Sequence, residues 1–319
     1  MIRDSFVLPQ KEDAALFKGV NYNVPGLFLY SELLLCLLDL MREKFGYEVP
    51  IKFMYGAPQA RWNGGRLILN KYKSDFSLDG IEKELLSISE RGITPLLTFS
   101  NVLLEKYDLQ DEYCNQLLKM MSEVGAGAIV SSNLLTEYIK AKYPEMQLHK
   151  SVITTAFQKN RDELFYEEIS SCNSYYVVHP DDNFNLDLLK KIPKSNAEII
   201  INERCFYRCN QRSEHYISIS SDQRKQNNNE KKYSVFLSGC NAMPEIKQGA
   251  SKQNNISLSI DEIKSIVELG FTSLKIQGRS DSLYSFFFDF LRYTLEPNVA
   301  FPNMYNIFVQ YIENYLKGV

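Results

Sequence analysis

Thr94-Pro-Leu-Leu-Thr-Phe-Ser-Asn101, then Glu112-Tyr-Cys-Asn-Gln-Leu-Leu-Lys-Met-Met-Ser-Glu-Val124, then Gly127-Ala-Ile-Val-Ser-Ser-Asn133 is the stretch that decides the fold. A short apolar run ends on small polar residues. An amphipathic helical segment follows, and then a second apolar run ends the same way. Continuous apolar runs of this length read as strands buried on both faces, and an intervening helix makes the pair a parallel βαβ unit. The pattern extends in both directions. Toward the N-terminus lie candidate strands Phe17–Asn23 and Pro50–Gly56, with helices Glu32–Phe45 and Ile81–Arg91. Toward the C-terminus lie strands Lys150–Thr155, Ser174–His179, Ala197–Asn202 and Thr272–Gln277. The helices among them are Leu134–Lys142, Arg161–Ser170, Asn185–Lys191 and Ile260–Leu269. Helices Leu283–Leu295 and Asn306–Lys317 close the chain. Eight alternating strands predict an α/β fold, a closed (β/α)8 TIM-like barrel, with a long connection between strands seven and eight and extra C-terminal helices. An open doubly wound sheet is the other topology that periodicity allows. Asn23-Val-Pro-Gly after the first strand lacks the G-x-G-x-x-G turn that would favour it.

The bulk composition agrees with one large domain over residues 1–319. Apolar residues make up 45% and charged residues 24% of 319, which supports a sizeable core. A net charge of −3 gives no basic surplus to announce nucleic acid. The N-terminus has no apolar signal core. The run Leu33–Leu38 is far short of the roughly 20 residues a membrane span needs. The expectation is a soluble, cytoplasmic protein with no membrane span. Six cysteines are too few for a disulfide framework, so clustered ones suggest metal or catalysis.

Strand ends should carry the chemistry, because barrel active sites form at the carboxyl ends of the strands. Ser100-Asn101, Ser131-Ser132-Asn133, His179 and Asn202-Glu203 all fall there. Each has a plainer reading as a cap of the next helix. The outlier is the connection after strand seven, about 50 residues from Cys205 to the next clear helix, and connections this long are often functional. It includes a polar, low-complexity insertion near 218–234, read as mobile. It also holds Asn202-Glu-Arg-Cys205-Phe-Tyr-Arg-Cys209, His215 and Cys240. Three cysteines suit a thiolate metal site, with either an iron–sulfur cluster or Cys3His zinc allowed by the count. Unconnected loop cysteines are the bland alternative. The C-x3-C-x2-C radical signature fails, because its third position is Arg212.

The string N-E-x-C-x3-C-x5-H-Y, followed by Leu274-Lys-Ile-Gln-Gly-Arg279, resembles the collagenase-like peptidase (U-thirty-two) family, which includes UbiU/UbiV-like iron–sulfur barrel proteins. The resemblance implies a barrel with a 4Fe–4S cluster and, for several members, oxygen-independent hydroxylation; peptidase is the older family label. A paired protein partner subunit is implied as well, with a non-catalytic role and a structural metal site as a further alternative. The likeness is specific around 202–216 and 274–279. It departs at Gln277, where an acidic residue is usual, and in the lack of an obvious fourth cysteine.

The candidate site is therefore Cys205, Cys209 and Cys240 as cluster or zinc ligands, with His215 beside them as a ligand or acid–base group. By strand alternation Lys275 and Gln277 share a face, and a buried Lys275 needs a carboxylate, for which Glu203 is the expected partner. Glu203 and Lys275 are thus candidate catalytic residues, or a structural ion pair. His179, Trp62, Arg66 and Arg279 are candidate contacts to a small-molecule substrate. Trp62-Asn-Gly-Gly-Arg66 reads as a loop able to close over a ligand, or as a surface turn. Cys36, Cys114 and Cys172 read as core, with Cys36 a minor candidate for the fourth ligand. No H-E-x-x-H or G-x-S-x-G occurs to support a hydrolase.

Overall fold

A computed structural model describes residues 14–64, 76–226, 256–278 and 283–298. Its strands are β1 (Asn21–Pro25), β2 (Ile51–Gly56), β3 (Thr94–Phe99), β4 (Gly127–Val130), β5 (Leu148–Lys150), β6 (Tyr175–Val177), β7 (Ala197–Ile200) and β8 (Ser273–Lys275). Each pairs parallel with the next and β8 returns to β1, so the expected barrel is closed. The helices are α1 (Ser31–Phe45), α2 (Leu78–Ser89), α3 (Glu112–Glu123), α4 (Asn133–Lys142), α5 (Val152–Phe157), α6 (Glu163–Cys172), α7 (Leu186–Lys191), α8 (Arg212–Gln226), α9 (Ile260–Glu268) and α10 (Leu283–Thr294). No helix among the described residues is long and apolar enough to cross a membrane.

Local chemistry sets many of these boundaries. Ser77, Asp111, Ser132, Asp162 and Ser259 each accept a backbone N–H in the first turn of the helix they precede. Such a cap is worth about 1 kcal/mol. The plainer reading therefore holds for Ser132, and for His179, whose Nδ1 accepts from the N–H of Asp181 at a 3-10 turn.

Two stretches depart from the sequence reading. Lys150–Thr155 is not a strand: β5 ends at Lys150, Ser151 caps α5, and Val152–Phe157 is helical. The apolar Val-Ile pair misled the periodicity, since a run this short fits either state. The second is Arg212–Gln226, a helix of 15 residues where a polar insertion was expected to begin near 218; residues 227–234 lie outside the described residues.

The outward faces of the strands pack with the helices into one large apolar cluster that includes Leu97, Phe99, Ile201, Leu274 and Ile276. The inward faces stack in layers, four side chains each from alternate strands. Strand register and alternation assign the layers from the bottom upward. The lowest holds Phe53, Gly127, Tyr175 and Ser273, and the next Asn23, Leu96, His149 and Glu198. The third holds Tyr55, Ile129, Val177 and Lys275. Above it come Pro25, Thr98, Ser151 and Ile200, then Ala57, Ser131, His179 and Gln277. Large side chains fill the lower three layers. Half of the upper eight positions are small (Thr98, Ser151, Ala57 and Ser131), and Thr98 and Ala57 are only half-buried.

Candidate functional site

The loop after β7 is held in place by strand-end groups. Asn202 Oδ1 accepts from the Gln277 N–H (2.6 Å), and its Nδ2 donates to the Gln277 carbonyl (3.0 Å). Glu203 is buried, and one carboxylate oxygen accepts from the N–H groups of Arg204 (2.9 Å) and Cys205 (3.1 Å). The other accepts from Gln277 Nε2 (2.8 Å). Glu203 thus positions the cysteine loop and ties it to the strand-eight wall. Cys205 and Cys209 are half-buried and within electrostatic reach of each other. Burial pushes the Cys205 thiol up to about 11; nearby Glu203 and Cys209 push the same way, against the pull of Arg212. No group of three or more His, Cys, Asp and Glu residues suited to a metal occurs among the described residues, and Cys240 lies outside them.

Arg212 went unmarked as a site residue in the sequence, and it is the most buried cation on this loop at 4% exposure. Its Nη2 donates to the Phe206 carbonyl (2.8 Å) and to Asp181 (3.3 Å). Among the described residues its Nε and Nη1 have no acceptor. Arg212 opens α8, which crosses the mouth from the β7 side to the loop after β3. There the Ser220 carbonyl accepts from Asn101 Nδ2 (3.2 Å), and the Arg224 side chain donates to the Leu103 carbonyl. Between these anchors Tyr216 packs on Val152, Ile153, Val177 and Ile200. The half of the mouth over β5–β7 is thereby roofed.

Below this roof the expected pairing is corrected. Lys275 does point inward, but its Nζ bonds Glu198 (2.9 Å), not Glu203. Glu203 lies past the strand end, well above the layer that holds Lys275. Glu198 also accepts from Asn23 Nδ2 (2.6 Å) and faces His149 Nδ1 (3.3 Å). Burial pushes the Glu198 carboxyl up, but the Lys275 ammonium and His149 outweigh it and hold the group down at about 2. Burial lowers His149, leaving it neutral. The Lys275 ammonium also sits 4.6 Å from the centre of the Tyr55 ring. His149 and Glu198 were missed. A charged residue inside the buried run Ala197-Glu-Ile-Ile200 was the available signal, and moving the start of the fifth strand to Leu148 turns His149 into the interior.

The remaining candidates divide. Trp62 is fully buried: its Nε1 donates to the Asp108 carbonyl (2.8 Å) and its ring meets Phe99 and Tyr138 edge-on. It is therefore a core residue, not a ligand contact: it lies within the turn Ala60–Asn63, closed by the Asn63 N–H on the Ala60 carbonyl (3.0 Å), with its indole inside. Neighbouring Arg61 is paired with Asp108. Arg66 and Arg279 lie outside the described residues. His179 is buried in the uppermost layer; burial, with Arg212 and Arg161, lowers it to about 2, so it is neutral and an acceptor. His215 is half-buried in the first turn of α8, stacked on Tyr216. Cys114 is core as expected, but Cys172 is exposed at the end of α6. Cys36 is on α1 within reach of Arg91, at the opposite end of the barrel from Cys205.

No family model and no curated protein matches the chain. Among solved structures, that of the U32 peptidase Mk0906 superposes with a TM-score of 0.54, covering 82% of this chain and 93% of that one at 11% sequence identity. At that identity the likeness is one of fold.

Proposed function

We propose that the chain is an iron–sulfur protein carrying out oxygen-independent hydroxylation, or a related redox modification, of a small metabolite or cofactor precursor bound in the barrel. The observation that carries this reading is the pair Cys205 and Cys209 beside Arg212, whose buried Nε–H and Nη1–H groups lack acceptors among the described residues. The donor set fits a thiolate metal centre. The half-buried Cys205 thiol, next to Glu203, resists ionisation unless a cationic centre joins it, and the unsatisfied guanidinium N–H groups match anionic sulfur. Cys205 and Cys209 would hold the cluster together with Cys240. When bound, such a cluster supplies one-electron transfer. The chain's own residues do the rest. Glu203 and Asn202 fix the cysteine loop, α8 keeps water from the β5–β7 half of the mouth, and Lys275 with Glu198 forms a polar floor beneath the substrate. Zinc on the same residues is the alternative occupant.

Anaerobic purification followed by iron and sulfide analysis tests this reading. A brown protein with iron and sulfide, lost in a Cys205→Ala, Cys209→Ala variant, is the expected result. A colourless protein that stays iron-free after anaerobic reconstitution rejects it. A peptidase is the second reading, favoured by the shared fold with the U32 peptidase. Peptide hydrolysis that persists in Cys205→Ser would support it over the cluster.

A further inference from the structure

We propose that a groove at the lower end of the barrel binds a small zwitterion with an apolar body, in chemical class an apolar amino acid. Its walls lead into β2 and β3, whereas Cys205 follows the end of β7. The groove shares no residue with the cysteine loop, so this proposal stands or falls apart from the metal reading.

Space comes first. A groove of about 480 Å³ runs between α1, the residues that enter β2 and those that enter β3. Small-molecule sites usually enclose about 300–1,000 Å³. Leu35, Leu38, Asp39 and Arg42 all line it, and their i, i+3, i+4, i+7 spacing makes them one stripe of α1. Seven residues of helix give that stripe a length of about 10 Å. Its first half is apolar. Leu35 and Leu38 are only half-buried there, and Ile51 and Ile93 join them in the lining.

Charge comes second. Asp39 in the second half is already committed. Its Oδ1 accepts from Arg42 Nη2 (2.8 Å) and Arg91 Nη1 (2.7 Å), and its Oδ2 from Arg91 Nη2 (2.9 Å). Two guanidiniums on one carboxylate leave one positive charge over. Among the described residues Arg42 Nε and Nη1 bond to nothing, so its fork is open on that side. Glu48 also lines the groove, exposed and without an ion-pair partner among the described residues.

One spare cation, one spare anion and an apolar wall therefore meet in one groove. A ligand carboxylate answers Arg42, a ligand ammonium answers Glu48, and an apolar side chain covers Leu35 and Leu38. A simple anion would meet Glu48 and a simple cation Arg42, each a like charge at close range. An uncharged apolar molecule would use the wall alone.

L-Leucine is the probe. Calorimetric titration and saturation-transfer NMR on the full-length protein should detect it at millimolar concentration. Glycine, which lacks the side chain, should bind about tenfold more weakly or worse, the worth of burying a leucine side chain. N-acetyl-leucine lacks the ammonium and leucinamide lacks the carboxylate, and each should lose about threefold or more. The variants should match the analogues one to one. Arg42→Gln should weaken leucine about threefold and leave leucinamide unchanged, and Glu48→Gln should weaken leucine alike and leave N-acetyl-leucine unchanged, both with unaltered circular dichroism. Cys205→Ala, Cys209→Ala should bind leucine as the native chain does. No leucine signal, glycine binding as tightly as leucine, or leucine affinity untouched in both groove variants would overturn the proposal. Loss of leucine binding in the double cysteine variant would place the ligand at the mouth and overturn it too.

Discussion

Replacing Glu198 by Gln is the sharpest probe of the barrel interior. Glu198 is fully buried and takes hydrogen bonds from Lys275 (2.9 Å) and Asn23 (2.6 Å), with His149 at 3.3 Å. Gln fills the same volume but removes the charge, so the buried Lys275 ammonium loses its counter-ion. Breaking a buried pair from one side costs about 3–5 kcal/mol. The melting temperature should fall on the order of 5–15 °C, followed by far-UV circular dichroism. The remedy is as diagnostic as the damage. Adding Lys275→Met removes the stranded charge, so the double variant should be more stable than Glu198→Gln alone, a coupling visible in a double-mutant cycle. Acid provides a second arm. Glu198 is held at about 2, below its ordinary 4.5, so its stabilising share is fully present above pH 4.5 and is lost as pH falls toward 2. That share is about 3 kcal/mol. His149, also lowered, adds a decline that starts as pH drops below about 6.5, because the unfolded chain then takes up a proton that the folded chain refuses. Glu198→Gln should lose the dependence between pH 4.5 and 2. A cost below about 1 kcal/mol, or an unchanged acid limb, would refute an ion pair at the barrel centre.

Three further outcomes follow from the packing. Trp62→Ala should destabilise by about 3–5 kcal/mol in urea denaturation, as a core truncation does, and iodide should not quench Trp62 in the native protein; efficient quenching would contradict its burial. Gly64→Ala should cost at least about 1–3 kcal/mol, because the new Cβ would lie 2.4 Å from the Ser100 carbonyl oxygen and 2.5 Å from Asn101 Cα, both backbone; a neutral effect on melting temperature would argue against that close approach. Lys150 is lowered to about 8, chiefly by burial, so the unfolded chain holds a proton that the folded chain releases between pH 8 and about 10.5. Stability should rise with pH across that window in the native chain and stay flat in Lys150→Met.

The barrel was legible because its strands are buried on both faces, so their apolar runs stand out between helical segments. Thr94–Phe99 matches to the residue, and Ser31–Phe45 and Glu112–Glu123 to within one at each end. The α8 helix was not legible. Arg212-Ser-Glu-His-Tyr-Ile-Ser-Ile-Ser-Ser-Asp-Gln-Arg-Lys-Gln226 has almost no apolar stripe, and it is anchored by polar contacts such as those of Ser220, Arg212 and Arg224. Such contacts depend on what lies across the mouth, which local sequence does not encode. The inward direction of Lys275 was readable from alternation, but its partner was not. Choosing Glu198 over Glu203 requires the height of neighbouring strands, which register alone supplies. Trp62 shows turn chemistry and side-chain size pulling apart: it is a central residue of the turn Ala60–Asn63, yet its indole goes inside.

The ring of strands also sets an order of events in time. Asn23 of β1 bonds Ser273 of β8 from 250 residues away, so the earliest strand to be synthesised waits for the latest before its outer edge is paired. Until Lys275 leaves the ribosome, β1 and β7 each present an unpaired edge that another chain could occupy. A barrel that is seamless when finished is therefore an open sheet with two vulnerable margins for most of its synthesis, and its slowest folding event should be the closing of that seam.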